Sequence, residues 1–302
     1  MPVPDKVDKK VISHSQYTIY NSCPYQWSLR YIHKIKPFTS TINTVFGTAM
    51  HEVLQEYLKT MYETSIRAAD AIDIDELLLE RFKVNYSQEV VKNNGEDFTT
   101  PDEFFEFYDD GLQILHWFKS HRDKFFSVRG WELLGIEIPI MMPTATNPNV
   151  YFNGFIDIVM GSVINDKVEK IFVYDFKTSK MGWKDDREKK DTKKIAQILL
   201  YKKYFSKQYE ISEDMVEVVF FILKRKIWEG GEFPIPRVQV FRPASGTAKV
   251  REAEHLLSNF VNECFTEDGE YNTERYYEKT PSSWSCRFCP FAQMPDLCDQ
   301  KA

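Results

Sequence analysis

The sequence predicts an α/β core preceded by a helical region, and three observations carry that reading. Apolar residues through the first 125 positions recur mostly at helical spacing. Strand-like runs then follow in quick succession with one helix among them. Four of the five cysteines fall late, from Cys264 onward, and set the tail apart as a possible metal-binding segment.

Taken in order, the first ten residues are polar and read as loose. Ser15 stands at an N-cap position ahead of a helical stretch reaching Ile32, interrupted at Cys23 and Pro24. From Val45 the residues Met50, Leu54, Tyr57, Leu58 and Met61 recur at helical spacing, and further helices are expected over 73–91 and 101–126. The run 131–142 reads as a strand, followed by a Pro/Asn/Thr turn over 143–148. Strands are expected over 150–160, 170–176, 215–223 and 238–241, with helices at about 193–207 and 247–264. The domain reading is a helical region (1–130), a core (131–245) and a C-terminal helix with a cysteine tail (246–302) packing back on the N-terminal region.

Composition excludes several classes. At 302 residues, 43% hydrophobic and 15% aromatic, the chain can bury a sizeable core and is not disordered in bulk. No run approaches the roughly 20 apolar residues of a membrane span, and the charged start lacks the apolar stretch of a signal peptide. A cytoplasmic protein, in a host cytoplasm if viral, is the expectation. An odd cysteine count argues against a secreted disulfide framework. The net charge of −6 argues weakly against nucleic acid as a partner.

The richest chemistry lies in Gly154, Ile156 and Asp157 on one strand and Asp175-Phe176-Lys177 on the next. Side chains two apart on a strand share a face, so Asp175 and Lys177 point together, opposite to Phe176. If Asp157 joins them, two carboxylates at close range call for a cation, and Mg²⁺ or Mn²⁺ suits such hard oxygen donors. That ion could polarise a phosphate and activate water, with Lys177 countering developing charge. His51 shares the inward stripe of its helix with Leu54 and Leu58 and could be a further ligand.

These residues resemble the RecB-type branch of the PD-(D/E)XK nuclease superfamily. Its Gly-x-x-x-His, Gly-x-x-Asp, Asp/Glu-x-Lys and Gln-x-x-x-Tyr motifs read here as Gly47 to His51, Gly154 to Asp157, Asp175 to Lys177 and Gln197 to Tyr201. The resemblance implies a restriction-endonuclease-like core, a mixed central sheet flanked by helices. It implies that His51, Asp157 and Asp175 hold the metal with the carbonyl of Phe176, and that Asp157, Asp175 and Lys177 are catalytic. Gln197 and Tyr201, a helical turn apart, would contact DNA. Glu137 is similar to a family glutamate near that position, with a metal role held open. The implied activity is a metal-dependent deoxyribonuclease, an exonuclease on single strands or DNA ends in recombination, repair, phage or CRISPR processing.

Cys286-x-x-Cys289 suits a tetrahedral centre. The Asn-Ser-Cys-Pro-Tyr context of Cys23 resembles the N-terminal cysteine of iron–sulfur members of the same family, the AddB-type and CRISPR-associated four-cysteine nucleases. By that resemblance Cys23, Cys286, Cys289 and Cys298 would hold a [4Fe–4S] cluster as a staple, with Zn²⁺ the chemical alternative. Cys264, within a helix, is left over.

The acidic total hides a local reversal: residues 177–194 hold eight basic and four acidic side chains, a net of +4. Lys180 and Lys184 in that run are candidate phosphate contacts. Trp183 could stack on an unpaired base or anchor the loop by packing. No helicase signature occurs, so a helicase or recombination partner would be a separate chain. Two rival readings remain: a nuclease-like DNA-binding subunit without independent cleavage, and a non-nucleolytic metal-cluster interaction protein.

Overall fold

A computed structural model describes residues 9–183, 192–228, 230–231 and 234–299. The chain divides into two compact units, one formed by 40–138 and 155–246, the other by 2–39, 139–154 and 247–302.

The first unit holds a mixed sheet. Strands β2 (Trp131–Pro143) and β3 (Val150–Ile164) begin in the second unit or run on into it; β4 (Lys167–Ser179), β5 (Val216–Lys224) and β6 (Val238–Phe241) lie wholly within the first. β3 runs antiparallel to β4, β4 parallel to β5, and β5 antiparallel to β6, while β2 pairs with β3. Strands β3 and β4 extend further than the sequence indicates, because Asn165 and Asp166, with φ of 50° and 59°, close a two-residue hairpin. Both central residues of such a turn need positive φ, which Asn and Asp tolerate best after glycine.

Around this sheet stand α3 (Ile42–Glu63), α4 (Ile66–Asp70), α5 (Ile74–Lys92), α6 (Pro101–His121) and α7 (Thr192–Gln208). The starts of α5 and α6 are written locally. Asp73 accepts from the amides of Asp75 and Glu76, and Thr100 from that of Glu103 at 3.2 Å, with Pro101 opening the helix. Acidic first turns and basic last turns complement the helix dipole of both. Gly111 sits where a Cβ would come within 2.8 Å of the end of the Leu78 side chain, so a larger residue there would make Leu78 shift.

Alternation along β4 decides what each side of the sheet does. Tyr174 and Phe176 enter a core with Met50, Leu54 and Leu58 of α3, Phe118 of α6 and Phe221 of β5. Each such fully buried side chain contributes about 1.5–3 kcal/mol. Asp175 and Lys177 point the other way, toward α7, which packs on β4 and β5.

In the second unit, β1 (Lys10–Ser13) pairs in parallel with residues 150–153 of β3. Of the start expected to be loose, Lys10 instead opens this strand, while residues 1–8 lie outside the described residues; a four-residue strand held by a distant partner leaves almost no periodic signal. Ser13, not Ser15, is the N-cap of α1 (His14–Ser22), accepting from the Gln16 amide at 3.2 Å. Cys23 is extended (φ −159°, ψ 111°) and breaks the stretch before α2 (Pro24–Tyr31). The unit also holds α8 (Thr247–Cys264) and the short α9 (Ser283–Arg287). Its centre is Trp27, fully buried among Tyr20, Tyr31, Phe260, Phe265, Tyr271 and Tyr277 at ring separations of 5.2–6.3 Å.

Candidate active site

The first unit brings together most of the residues singled out in the sequence. β3 and β4 are paired up to Ile158 and Tyr174, and beyond that rung the amide of Phe176 is taken by the Oδ2 of Asp157. A side-chain carboxylate thus stands in for a strand carbonyl where the sheet opens. Its other oxygen, Oδ1, lies 3.6 Å from Nδ1 of His51, which reaches in from α3. The His51 ring meets Phe176 edge-on, with centroids 5.6 Å apart.

Asp175 is buried, only 3% exposed. Its Oδ2 lies 2.8 Å from Nζ of Lys177, yet no partner is aligned to give that oxygen a hydrogen bond. The Lys177 ammonium donates instead to Oε1 of Gln197 at 2.8 Å, and Nε2 of Gln197 donates to the Tyr201 hydroxyl at 3.0 Å. Gln197 and Tyr201, at i and i+4, therefore form a line behind Lys177 along one face of α7. Tyr201 is 6% exposed.

The electrostatics follow from burial and crowding. Burial, reinforced by the Asp157 charge, pushes the Asp175 carboxyl up to about 6 against the opposing pull of Lys177 and His51. Burial alone would lower the His51 imidazole, but Asp157 and, further off, Asp175 outweigh it and hold it above its usual range. Burial likewise drives the Tyr201 phenol upward, so it stays neutral at physiological pH.

Glu137 stands beside this group on β2. Its φ of 49° is left-handed, a conformation that costs a non-glycine residue of order 1–3 kcal/mol and marks a place where the fold over-determines the backbone. The amide of Gln55 donates to its Oε1. Gln55 escaped notice in the sequence, although Gly47, His51 and Gln55 at successive i+4 steps share one face of α3. A cavity of about 590 Å³ opens here, bounded by Asn43, Thr44, Gly47, His51, Glu137 and Lys177 among others.

Among the described residues no three His, Cys, Asp or Glu side chains are already grouped to hold an ion. The donor set nonetheless fits a hard divalent cation: a buried carboxylate oxygen without a hydrogen bond, a second carboxylate repelling it, and an imidazole at their edge.

Beyond Lys177, the backbone of Trp183 is held at both ends by Gln239, whose Oε1 accepts from its amide at 2.8 Å and whose Nε2 donates to its carbonyl at 3.0 Å. The Trp183 ring packs on Phe220 and Phe241, 4.8 and 5.7 Å away, so it anchors the chain here by packing. Lys180 is exposed at this point, and Lys184 lies outside the described residues.

In the second unit, Cys23 stands between α1 and α2, Cys286 lies in α9, and Cys289 and Cys298 follow it. Burial raises the Cys289 thiol, and Cys23 and Cys298 are near enough to raise it further. The tail is tied to the first helices by Tyr25 donating to the Leu297 carbonyl (3.0 Å) and Thr280 to the Ser22 carbonyl (3.0 Å). Cys264 stands apart, fully buried, its thiol driven well up by burial.

No curated protein matches this chain. Among solved structures, one from Eubacterium rectale, provisionally described as an exonuclease, aligns over 93% of this chain and 88% of its own. It is 12% identical with a TM-score of 0.51, a likeness of fold. The structure of SSO0001 aligns over 96% of this chain and 86% of its own at 13% identity, with a TM-score of only 0.37. The family profile of the PD-(D/E)XK nuclease superfamily matches residues 11–294, nearly the whole chain, and with a mixed sheet flanked by helices beneath it, this protein belongs to that superfamily.

Proposed function

We propose that the protein is a metal-dependent deoxyribonuclease, acting as an exonuclease on single strands or DNA ends. Family membership supports a hydrolytic nuclease. The observation that carries the finer reading is the pairing of the buried Asp175 carboxylate with the Lys177 ammonium, 2.8 Å away on the same face of β4.

In this reading His51, Asp157, Asp175 and the Phe176 carbonyl hold Mg²⁺ or Mn²⁺, with Glu137 at the margin. When bound, such an ion supplies Lewis-acid polarisation of a phosphodiester and a more acidic water. Lys177 places positive charge where the phosphate gains negative charge during attack. Gln197, backed by Tyr201, fixes the direction of the Lys177 ammonium and keeps one acceptor on it. Lys180, exposed just past the end of β4, adds positive charge for a phosphate, and Lys184, the other candidate phosphate contact, lies outside the described residues. Phe126, Phe176 and Phe221 pack together on the opposite side of the sheet and keep water from reaching the acids from beneath.

The four cysteines of the second unit would hold a [4Fe–4S] cluster, with Zn²⁺ as the alternative. The supporting observation is that Cys23 and Cys298 each lie near enough to Cys289 for their charge to raise its thiol. Iron, zinc and acid-labile sulfide analysis of anaerobically purified protein decides between them.

Cleavage of end-labelled and internally labelled single strands and duplexes with Mg²⁺ or Mn²⁺ tests the function. Release of mononucleotides or short products from one end is expected, and an inert protein with both ions would defeat the proposal.

A further inference from the structure

No aspartate or glutamate occurs between Asp8 and Glu52, in a chain whose net charge is −6. Part of that acid-free stretch shapes a cavity of about 640 Å³ in the second unit, lined by Arg30, Tyr31, Lys34, Lys36, Pro37 and Tyr271. The three cations have no acidic partner among the described residues, and Nε of Arg30 is buried without a hydrogen bond. A buried guanidinium N–H without an acceptor is costly, and an anionic ligand is the natural remedy.

The fold builds this cavity firmly. At the end of α2 the amides of His33 and Ile35 return to the carbonyls of Ser28 and Leu29, at 3.0 and 2.9 Å, and Lys34 takes a left-handed φ of 58° to reverse the chain. The Tyr31 ring stacks on Trp27 at 5.8 Å and 28°, and Tyr271 packs edge-on to the same indole at 5.5 Å. Trp27 is fully buried, so both tyrosines are rooted in the core.

Cations without partners beside rigid aromatic rings are the elements of a single-strand platform: the charges track phosphates, and the rings stack on unpaired bases. Bases in a duplex are already stacked and cannot enter a concave pocket without being flipped out. We propose that this cavity binds a segment of single-stranded DNA, with Arg30, Lys34 and Lys36 on phosphates and Tyr31 against a base. It is a binding site of the second unit, distinct from the carboxylate site of the first, and its biological sense rests on the deoxyribonuclease reading.

The test measures binding of a 12-residue oligo-dT by fluorescence anisotropy, in chelator so that nothing is cleaved, across a potassium chloride series. Lys34 and Lys36 are exposed, and asparagine is tolerated at the φ of Lys34, so the Lys34→Asn, Lys36→Gln double variant removes charge without disturbing the core. It is expected to bind about tenfold more weakly, with a salt slope reduced by about 1.4, at roughly 0.7 per lost phosphate contact on a single strand. Tyr31→Leu should weaken oligo-dT about tenfold and leave an abasic strand unchanged. An unchanged salt slope in the double variant overturns the proposal. So does duplex DNA competing as well as the single strand, or inorganic phosphate competing at the same concentration as oligo-dT. Because binding is read without cleavage, a protein that passes this test but cuts nothing overturns only the nuclease reading.

Discussion

Among the described residues, the first unit fully buries charged side chains and the second fully buries none. Inside the first, Asp110 is 2% exposed and meets Arg225 at 3.1 Å and Lys226 at 2.8 Å, Arg225 lies over the Phe107 ring, and Asp175 is sunk beside Lys177. Inside the second, the buried polar residues are all neutral, Gln16, Gln26, Ser28, Thr144, Asn147 and Ser258, and the centre is the aromatic cage around Trp27. Burying an ion costs several kcal/mol that pairing only partly offsets. The two cases within the first unit differ in the same way. Asp110 is answered by two cations, whereas Asp175 is answered by Lys177 alone, which in the proposed function leaves it able to take an ion. The second unit instead draws its order from ring packing and, in the proposed function, from its thiols.

The largest expected effect breaks the second unit. Trp27→Ala empties the centre of the cage and should destabilise it by about 4–5 kcal/mol. Hydrogen exchange in peptides covering 24–31 and 257–277 reads this, and native protection there would show that the cage is not its core. Next, Lys177→Ala should lower cleavage by about 10³-fold while leaving the melting temperature within a few degrees, since the side chain is one-third exposed. A variant that cleaves normally removes Lys177 from the mechanism.

Asp110→Asn should cost about 3 kcal/mol in urea unfolding, because Arg225 then lies buried without its counter-charge. Asp175→Asn should act in the opposite sense. The Asp175 carboxyl sits near 6 in the folded state against the usual 3.8, so the folded chain holds an extra proton between those values. Its contribution to stability therefore falls as pH rises from about 4 to 6, and up to about 3 kcal/mol is lost by pH 7. In metal-free buffer the Asn variant should lack that slope; identical pH profiles for the two proteins would place Asp175 in a better-compensated setting. The smallest effect is on Gln197→Leu, which frees the ammonium of Lys177 and should lower kcat about tenfold with little change in KM.

Much of this site is legible in the sequence because its parts are periodic. Asp175 and Lys177 share a face at strand spacing, and Gln197 and Tyr201 at helix spacing, and the structure joins Lys177, Gln197 and Tyr201 into one hydrogen-bonded line. What escapes reading depends on contacts made at a distance. β1 exists because residues 150–153 supply its partner, Glu137 owes its conformation to a left-handed backbone, and Asp110 finds Arg225 across 115 positions. Gln55 was within reach of helical periodicity, but nothing local distinguishes it from a solvent-facing glutamine until Glu137 arrives beside it.

Asp157 joins the architecture to the chemistry through its two oxygens. Oδ2 splices the end of a strand ladder, so the carboxylate plane inherits the stiffness of the sheet, and Oδ1 is the one left facing the imidazole. In the proposed function, an ion arriving at that oxygen would meet a ligand whose orientation was settled when the sheet formed. The entropy of aiming it is charged to folding and is not levied again at each turnover.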